Sequence, residues 1–212
     1  MIQFYPEYLV TIFYKEYFVF IVIEGPDGSG KTTLAKELAA NLNQLNIPTV
    51  YTYEPTRISK FGRNLRNMMR NGDISDIYNF ADLFVEDRKE HLEKIIVPAL
   101  KRNEFVVCDR YKYSALVYQQ IQGVDLAYLL EISRQCLVPD IVYVLIPSNV
   151  EILLKRIATR KKEDIFEKKE FLATTIEYYK HLKKYFPSEQ IVFLDAAASI
   201  QDNINQILKK II

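Results

Sequence analysis

Residues Gly25–Thr32 read GPDGSGKT, the spacing G-x-x-x-x-G-K-[ST] of a phosphate-binding loop. Gly25, Gly28 and Gly30 permit backbone shapes that a Cβ forbids and let the main chain approach a ligand closely. Successive amides can then face one concavity that favours anions, and a following helix adds the positive end of its dipole. In this pattern Lys31 reaches the outer phosphates and Thr32 offers a hydroxyl to Mg²⁺. Pro26, Asp27, Ser29 and Thr33 complete the stretch expected against the donor nucleotide.

The flanks supply the context that the loop needs. Upstream, Phe18-Val19-Phe20-Ile21-Val22-Ile23 is an apolar run rich in β-branched and aromatic residues, as a buried parallel strand requires. Downstream, Leu34, Leu38, Leu42 and Leu45 recur at helical spacing, with Lys36, Glu37 and Asn41 between them. Strand, loop and helix therefore follow in the required order.

The 212 residues suit one domain with an ample core. At 49% hydrophobic and 26% charged the composition is that of a soluble globular protein, and a formal net charge of +1 supplies no basic field for nucleic acid. Cys108 and Cys136 stand in no metal or redox spacing, which suits a reducing compartment and a cytoplasmic location. Residues 1–17 are rich in Tyr, Phe and Ile. Lys15 and Glu16 interrupt the apolar run there and no small-residue cleavage site follows, so the stretch reads as an extension rather than a membrane span or leader.

Further strands are expected at Pro48–Tyr53, Phe105–Asp109, Ile141–Ile146 and Ile191–Leu194, each separated from the next by helical patterns. A long helix is expected from Asp76 to Lys101, kinked or shortened near Pro98. Others are expected at Ser114–Gln122, Leu126–Leu137, Val150–Lys161, Glu167–Tyr185 and Ile200–Ile211. Alternation of this kind predicts an α/β fold of three layers: a five-stranded parallel sheet covered by helices on both faces. Ligands in such folds gather at the carboxyl ends of the strands, where the loop, Glu54-Pro55 and Asp109-Arg110-Tyr111 all fall.

Asp109 ends an apolar strand, the position of a carboxylate that orients Mg²⁺ and its waters. Arg57, Arg88, Arg110, Arg156 and Arg160 are brought toward one region by this topology. Phosphoryl transfer uses such cations to offset charge on donor, acceptor and transferring group, whereas a hydrolase that activates only water needs fewer on the acceptor side. No N-K-x-D-like guanine motif is present.

With these residues in view, the chain from Phe18 onward resembles the thymidylate kinases. The resemblance rests on FIVIEGPDGSGKTTLAKEL (Phe20–Leu38), YEPTR (Tyr53–Arg57), LFVEDRKEHLEKIIVPAL (Leu83–Leu100), DRYKYSALVYQ (Asp109–Gln119) and PDIVYVL (Pro139–Leu145). It implies a P-loop fold with a short lid near 156–167, a single kinase domain over 18–212, a homodimer, and transfer of the ATP γ-phosphoryl to dTMP with Mg²⁺. It also implies roles. Glu54 would sit near the acceptor sugar. Arg57 and Arg110 would hold the acceptor phosphate, Phe84 would stack on thymine, and Arg88 and Gln119 would bond its edge. Tyr118 would lie against the deoxyribose and Ser114 would line the same pocket. Asp27 would stand beside the transferred group, fixing the acceptor or Lys31.

Relatives with glycine at the Gly28 position take their transition-state arginine from the lid, which makes Arg160 the catalytic cation and sets Arg156 near the adenine. The chain departs from the family pattern at Asp164-Ile165-Phe166-Glu167, where isoleucine replaces a lid arginine, and at Gln119–Gly123, where relatives are richer in glycine. Two other readings stay open from the residues: a kinase of another nucleoside or nucleoside monophosphate, and a nucleotide-binding module without catalysis. Arg57 with Arg110 favours an acceptor that already bears a phosphate, and intact Asp27, Lys31, Thr32 and Asp109 favour catalysis.

Overall fold

Successive side chains of the central strands take opposite sheet faces, and that alternation builds the layers. In β1 (Phe20–Glu24) every residue is buried, with Phe20 and Val22 on one sheet face and Ile21 and Ile23 on the other. The same division runs through β3 (Phe105–Asp109) and β4 (Ile141–Ile146): Val106, Cys108, Val142 and Val144 lie with Phe20, and Val107, Ile141, Tyr143 and Leu145 with Ile21. A strand buried on both faces must be covered on both. The computed structural model describes residues 19–158 and 165–211, the side chains of 165–168 excepted. The 1–17 extension and residues 159–164, half of the expected lid and including Arg160, fall outside it.

All pairings are parallel, and the strand order is β2-β3-β1-β4-β5, with β2 at Thr49–Tyr53 and β5 at Ile191–Asp195. One face is covered by α1 (Lys31–Gln44) through Leu34, Leu38 and Leu42 and by α10 (Ile200–Ile211) through Ile204 and Ile207. The other takes α3 (Ile77–His91), α5 (Lys112–Ile121), α6 (Leu126–Arg134) and α8 (Ile165–Lys180), which contribute Ala81, Leu116, Val117, Leu129 and Tyr179. A fully buried Leu or Ile contributes about 1.5–3 kcal/mol before ordering costs. The two apolar faces thus hold β1 in the centre, and the loop at its carboxyl end is pinned in the middle of the site.

The long helical stretch expected over 76–101 is interrupted. After α3 comes a π-helical turn, Leu92–Ile96, and then α4 (Val97–Lys101). Val97 N–H reaches back to Leu92 O, one residue further than in an α-helix. Pro98 has no N–H to donate and its ring collides with the carbonyl four residues back. The wider turn takes up that conflict without breaking the helix. α2 (Lys60–Asn71) starts on Ser59, whose hydroxyl accepts from Gly62 N–H. α6 stops at Arg134 rather than Leu137, because the chain must become extended ahead of Pro139. α7 (Val150–Ala158) and α8 pack on each other through Leu153, Leu154, Leu172 and Ile176, and α9 (Leu182–Tyr185) follows. Among the described residues no helix is long and apolar enough to cross a membrane.

Candidate active site

The loop between β1 and α1 adopts the conformation its glycines allow. Gly25, Gly28 and Gly30 have φ of 143°, 80° and 96°. A Cβ at Gly25 would meet Leu145 O at 2.7 Å, and one at Gly28 would meet Ile157 Cγ1 of α7 at 3.0 Å, so the loop is pressed between β4 and α7. Ser29 N–H donates to Pro26 O at 3.2 Å. Lys31 Nζ donates to Pro26 O and to Asp27 Oδ1, each at 3.3 Å. Burial and the neighbouring Arg110 charge lower the Lys31 pKa to about 8, with Asp27 and Asp109 pulling the other way. Arg156 NH1 lies on the far side of the loop, 3.4 Å from Gly28 O and 3.2 Å from Ser29 O.

β3 runs beside β1, so its last residue faces the first turn of α1. Thr32 Oγ1 donates to Asp109 Oδ2 at 2.5 Å, while Asp109 Oδ1 is buried without a hydrogen-bond partner. A buried carboxylate oxygen without a donor is costly, and an oxygen-preferring cation would satisfy it.

Arg110 links the loop to the rest of the cleft. Its backbone is left-handed, φ 69°, and its N–H donates to Ile23 O at 3.0 Å. The guanidinium makes an ion pair with Asp27, donates from NH1 to Ser114 Oγ at 2.8 Å, and lies 5.1 Å from the Tyr118 ring centroid. Tyr118 and Tyr179 hydroxyls are each 3.5 Å away. Burial works against the Arg110 charge, yet Tyr118, Asp27, Tyr179 and Glu24 together carry its pKa well above the ordinary value. Burial would also raise the Asp27 carboxyl, but Arg110 and then Lys31 outweigh it and hold it at about 2. Tyr118 is pushed up to about 12 by burial, against the pull of Arg110.

Beneath Arg110 lies a carboxylate that the motif reading passed over. Glu24, fully buried at the end of β1, accepts from Tyr111 N–H (2.8 Å), Ser114 N–H (3.1 Å), Ser114 Oγ (2.5 Å) and Tyr179 Oη (3.1 Å). Burial raises its pKa, with Arg110 and Ser114 opposing. Ser114 thus serves Arg110 and Glu24 at once, and Tyr179 brings α8 into the same network. The available signal for Glu24 was a carboxylate closing an otherwise apolar strand directly before the loop.

The wall beside Arg110 is built by α3 against the exit of β2. Glu54 N–H donates to Asp109 O at 3.0 Å, which sets Glu54 next to the loop cleft. Arg88 Nε donates to Glu54 Oε2 at 2.9 Å and its NH2 is 2.8 Å from the same oxygen. The Arg88 guanidinium lies 5.0 Å from the Tyr111 ring centroid, and its pKa is raised, Glu54 overcoming the effect of burial. His91 Nδ1 is 3.1 Å from Glu54 Oε1, and Thr52 Oγ1 is 2.6 Å from His91 Nε2. Asp87, between Phe84 and Arg88 in turn order, accepts from Thr56 N–H (2.8 Å), Thr56 Oγ1 (2.6 Å) and Ser59 Oγ (2.6 Å).

The 54–59 segment is therefore gripped from α3. It is also held from α2, where Arg66 bonds Pro55 O and lies over the Tyr53 ring and Arg63 NH1 donates to Ile58 O at 2.7 Å. Gly62 admits no side chain: its Cβ would come within 2.3 Å of Thr56 O and 2.5 Å of Asp87 Oδ1.

Asp27, Lys31, Thr32, Asp109, Arg110, Ser114 and Tyr118 are in this way brought into one connected cleft, with Glu54 and Arg88 adjoining it through Asp109 and Tyr111. Gln119 is buried with Oε1 lacking a partner. Phe84 is half-buried and meets Phe80 edge to face at 5.3 Å. Arg57 is exposed at the surface of the gripped segment. Arg160 lies outside the described residues. Glu24, Asp87, His91 and Tyr179 were not singled out from the sequence.

Known proteins resemble this chain over most of its length. A family model described as thymidylate kinase matches residues 23–207. A probable thymidylate kinase of Methanocaldococcus jannaschii is 40% identical over 190 residues, covering 90% of this chain and 94% of its own. One of Thermococcus onnurineus is 38% identical over 90% and 95%. A thymidylate kinase of Brachyspira hyodysenteriae is 37% identical over 72% and 74%. The crystal structure of thymidylate kinase from Ehrlichia chaffeensis superposes with a TM-score of 0.73 at 24% identity, covering 93% of this chain and all of that one, and so shares the fold. A family model over residues 23–207 and a relative 40% identical over nine-tenths of the chain, beside a phosphate loop joined through Asp27 to Arg110, place this protein in the thymidylate kinase family.

Proposed function

We propose that this chain moves the γ-phosphoryl group of ATP to the phosphate of dTMP, giving ADP and dTDP. The observation that carries the reading is the Asp27–Arg110 ion pair, which sets the donor loop against the arginine expected to hold the acceptor. In-line transfer asks little covalent work of a protein: it positions two phosphates, excludes water and offsets charge. Gly25–Thr33 hold the donor phosphates, Lys31 supplies the mobile cation, and Arg156 lies toward the donor base. Arg110 and Arg57 hold the acceptor phosphate; Phe84 stacks on the base, Arg88 and Gln119 bond its edge, and Tyr118 and Ser114 line the sugar side. Arg160, in the 156–167 lid, supplies the remaining transition-state cation.

Thr32 and the unpartnered Asp109 Oδ1 fit Mg²⁺, whose chemistry when bound is to neutralise charge on the phosphate oxygens. The gripped 54–59 segment, Asp27 and Lys31 hold the reactants in place around that position. We place the enzyme in the cytoplasm as a homodimer, with residues 18–212 as one kinase domain.

An acceptor screen with ATP tests the reading. ADP production should appear with dTMP and not with thymidine; the reverse pattern would replace the assignment with a nucleoside kinase, and binding of both nucleotides without turnover would leave a binding module. Arg110→Ala should lower kcat/KM for dTMP by about 10²–10³-fold, the scale of a lost charge-stabilising donor, while ATP binding changes little. Equal losses for both substrates would contradict the acceptor role.

A further inference from the structure

We propose that His91 is a positioning residue that aims Arg88 at the acceptor base by holding Glu54 in one orientation. The inference rests on the reading of Arg88 as a base contact. It starts from a geometric oddity: Arg88 Nε and NH2 converge on one oxygen, Glu54 Oε2, at 2.9 and 2.8 Å. Guanidinium and carboxylate left to themselves prefer two parallel bonds, one to each oxygen. Here the second oxygen is occupied, because Glu54 Oε1 lies 3.1 Å from His91 Nδ1.

An ionised carboxylate only accepts, so Nδ1 carries the hydrogen and donates it. At the other end of the ring Nε2 is hydrogen-bonded to Thr52 Oγ1, 2.6 Å away. Thr52 and Glu54 are two apart on the β2 exit and so share a face. Arg88 and His91 are three apart on α3 and share another. The imidazole, with no exposed surface, is thus clamped by both ends of one strand face, and the carboxylate by both members of one helix face. Removing the Nδ1–H would free Oε1 to take Arg88 NH2, turning the guanidinium toward the parallel pairing. With His91 in place the guanidinium is kept out of that parallel pairing, at the angle that sets NH1 3.8 Å from the Cys136 sulfur.

Arg88 can only donate. A guanidinium held at a fixed angle therefore favours a base that presents a carbonyl, as thymine does at C4, over one that presents an amino group there, as cytosine does. His91 then contributes to discrimination between dTMP and dCMP without touching either.

Two measurements test this. The chain has two histidines, His91 and His181, so ¹⁵N spectra of histidine-labelled protein resolve each ring, with His91→Gln giving the assignment. Nδ1 of His91 should carry a proton; a bare Nδ1 cannot donate to Glu54 and would overturn the proposal without any variant having to fold. Second, kcat/KM for dTMP and dCMP is compared in Arg88→Gln, His91→Phe, His91→Asn and Thr52→Val. His91→Phe should lower the dTMP/dCMP ratio about tenfold, the scale of one lost hydrogen bond in a recognition site, with KM for ATP unmoved. His91→Asn, which retains an N–H near Nδ1, should recover most of the ratio, and Thr52→Val should lower it less. If Arg88→Gln leaves the ratio intact, the base-contact reading of Arg88 fails. If Arg88→Gln lowers it while folded His91→Phe and Thr52→Val keep the wild-type ratio, the His91 inference alone fails.

Discussion

The donor loop and the acceptor wall handle charge in opposite ways. The loop is one run of eight residues whose lysine is loosely held: Lys31 meets Asp27 at 3.3 Å, and the 57% exposed Asp27 pairs more closely with Arg110. The wall draws on β2, α2, α3 and the start of α5, and its charges are spent on each other. Arg88 and Glu54 meet at 2.8 Å with both side chains only 3% exposed, and Asp87 is consumed by three donors from 56–59. A loop proposed to seize and release a polyphosphate holds its lysine by two long bonds, each 3.3 Å. A wall proposed to recognise a base fixes Glu54, Arg88 and Asp87 in advance, because each buried group left unpaired is penalised.

Damage to the two regions should therefore be read by different instruments. The largest effect belongs to the loop and to rate. Lys31→Ala should lower turnover by about 10²–10³-fold or more while the thermal midpoint stays near wild type; a comparable loss of stability would erase the distinction. The next belongs to the wall and to folding. Glu54→Ala strips one partner from a buried ion pair and should cost about 3–5 kcal/mol in denaturant unfolding, in addition to its effect on dTMP. A change within about 0.5 kcal/mol, the range of ordinary surface substitutions, would mean the pair is not the strut described.

The smallest effect sharpens the loop side. Lys31 sits at about 8 without nucleotide, and bound phosphates favour its charged form, so its pKa rises on binding. Nucleotide binding therefore takes up protons above neutral pH, and affinity falls as pH climbs through about 8. Calorimetry at pH 8 in buffers of different ionisation heat should show uptake approaching about half a proton; proton release would reverse the sign of the Lys31 assignment.

The loop and the sheet were legible because their signals are contiguous: Phe105–Asp109 and Ile141–Ile146 are apolar runs with the strand bounds found in the structure. The wall was harder. Asp87 and His91 sit on a helix whose polar residues look like any solvent face, and only the packing of α3 on the 54–59 segment shows that they point inward. Arg88 was singled out by the topology that brings the arginines together, and its role as a base contact came from the family resemblance. Glu24 was hidden by its neighbour, since a motif that begins at Gly25 draws the eye past the residue before it. Tyr179 belongs to the cleft through α8, a helix that no local pattern ties to Arg110. The π turn before Pro98 was anticipated only as a kink, because widening and kinking answer the same steric conflict.

Gly62 has a consequence beyond its own position. Where α2, the β2 exit and α3 come together, the space is narrower than a methyl group, so none of the three can slide without pushing the others. The segment bearing Arg57 and the helix bearing Phe84 and Arg88 accordingly travel as a single plate. Under the roles proposed for Arg57, Phe84 and Arg88, an arriving nucleotide would meet its phosphate contact and its base contacts already in register.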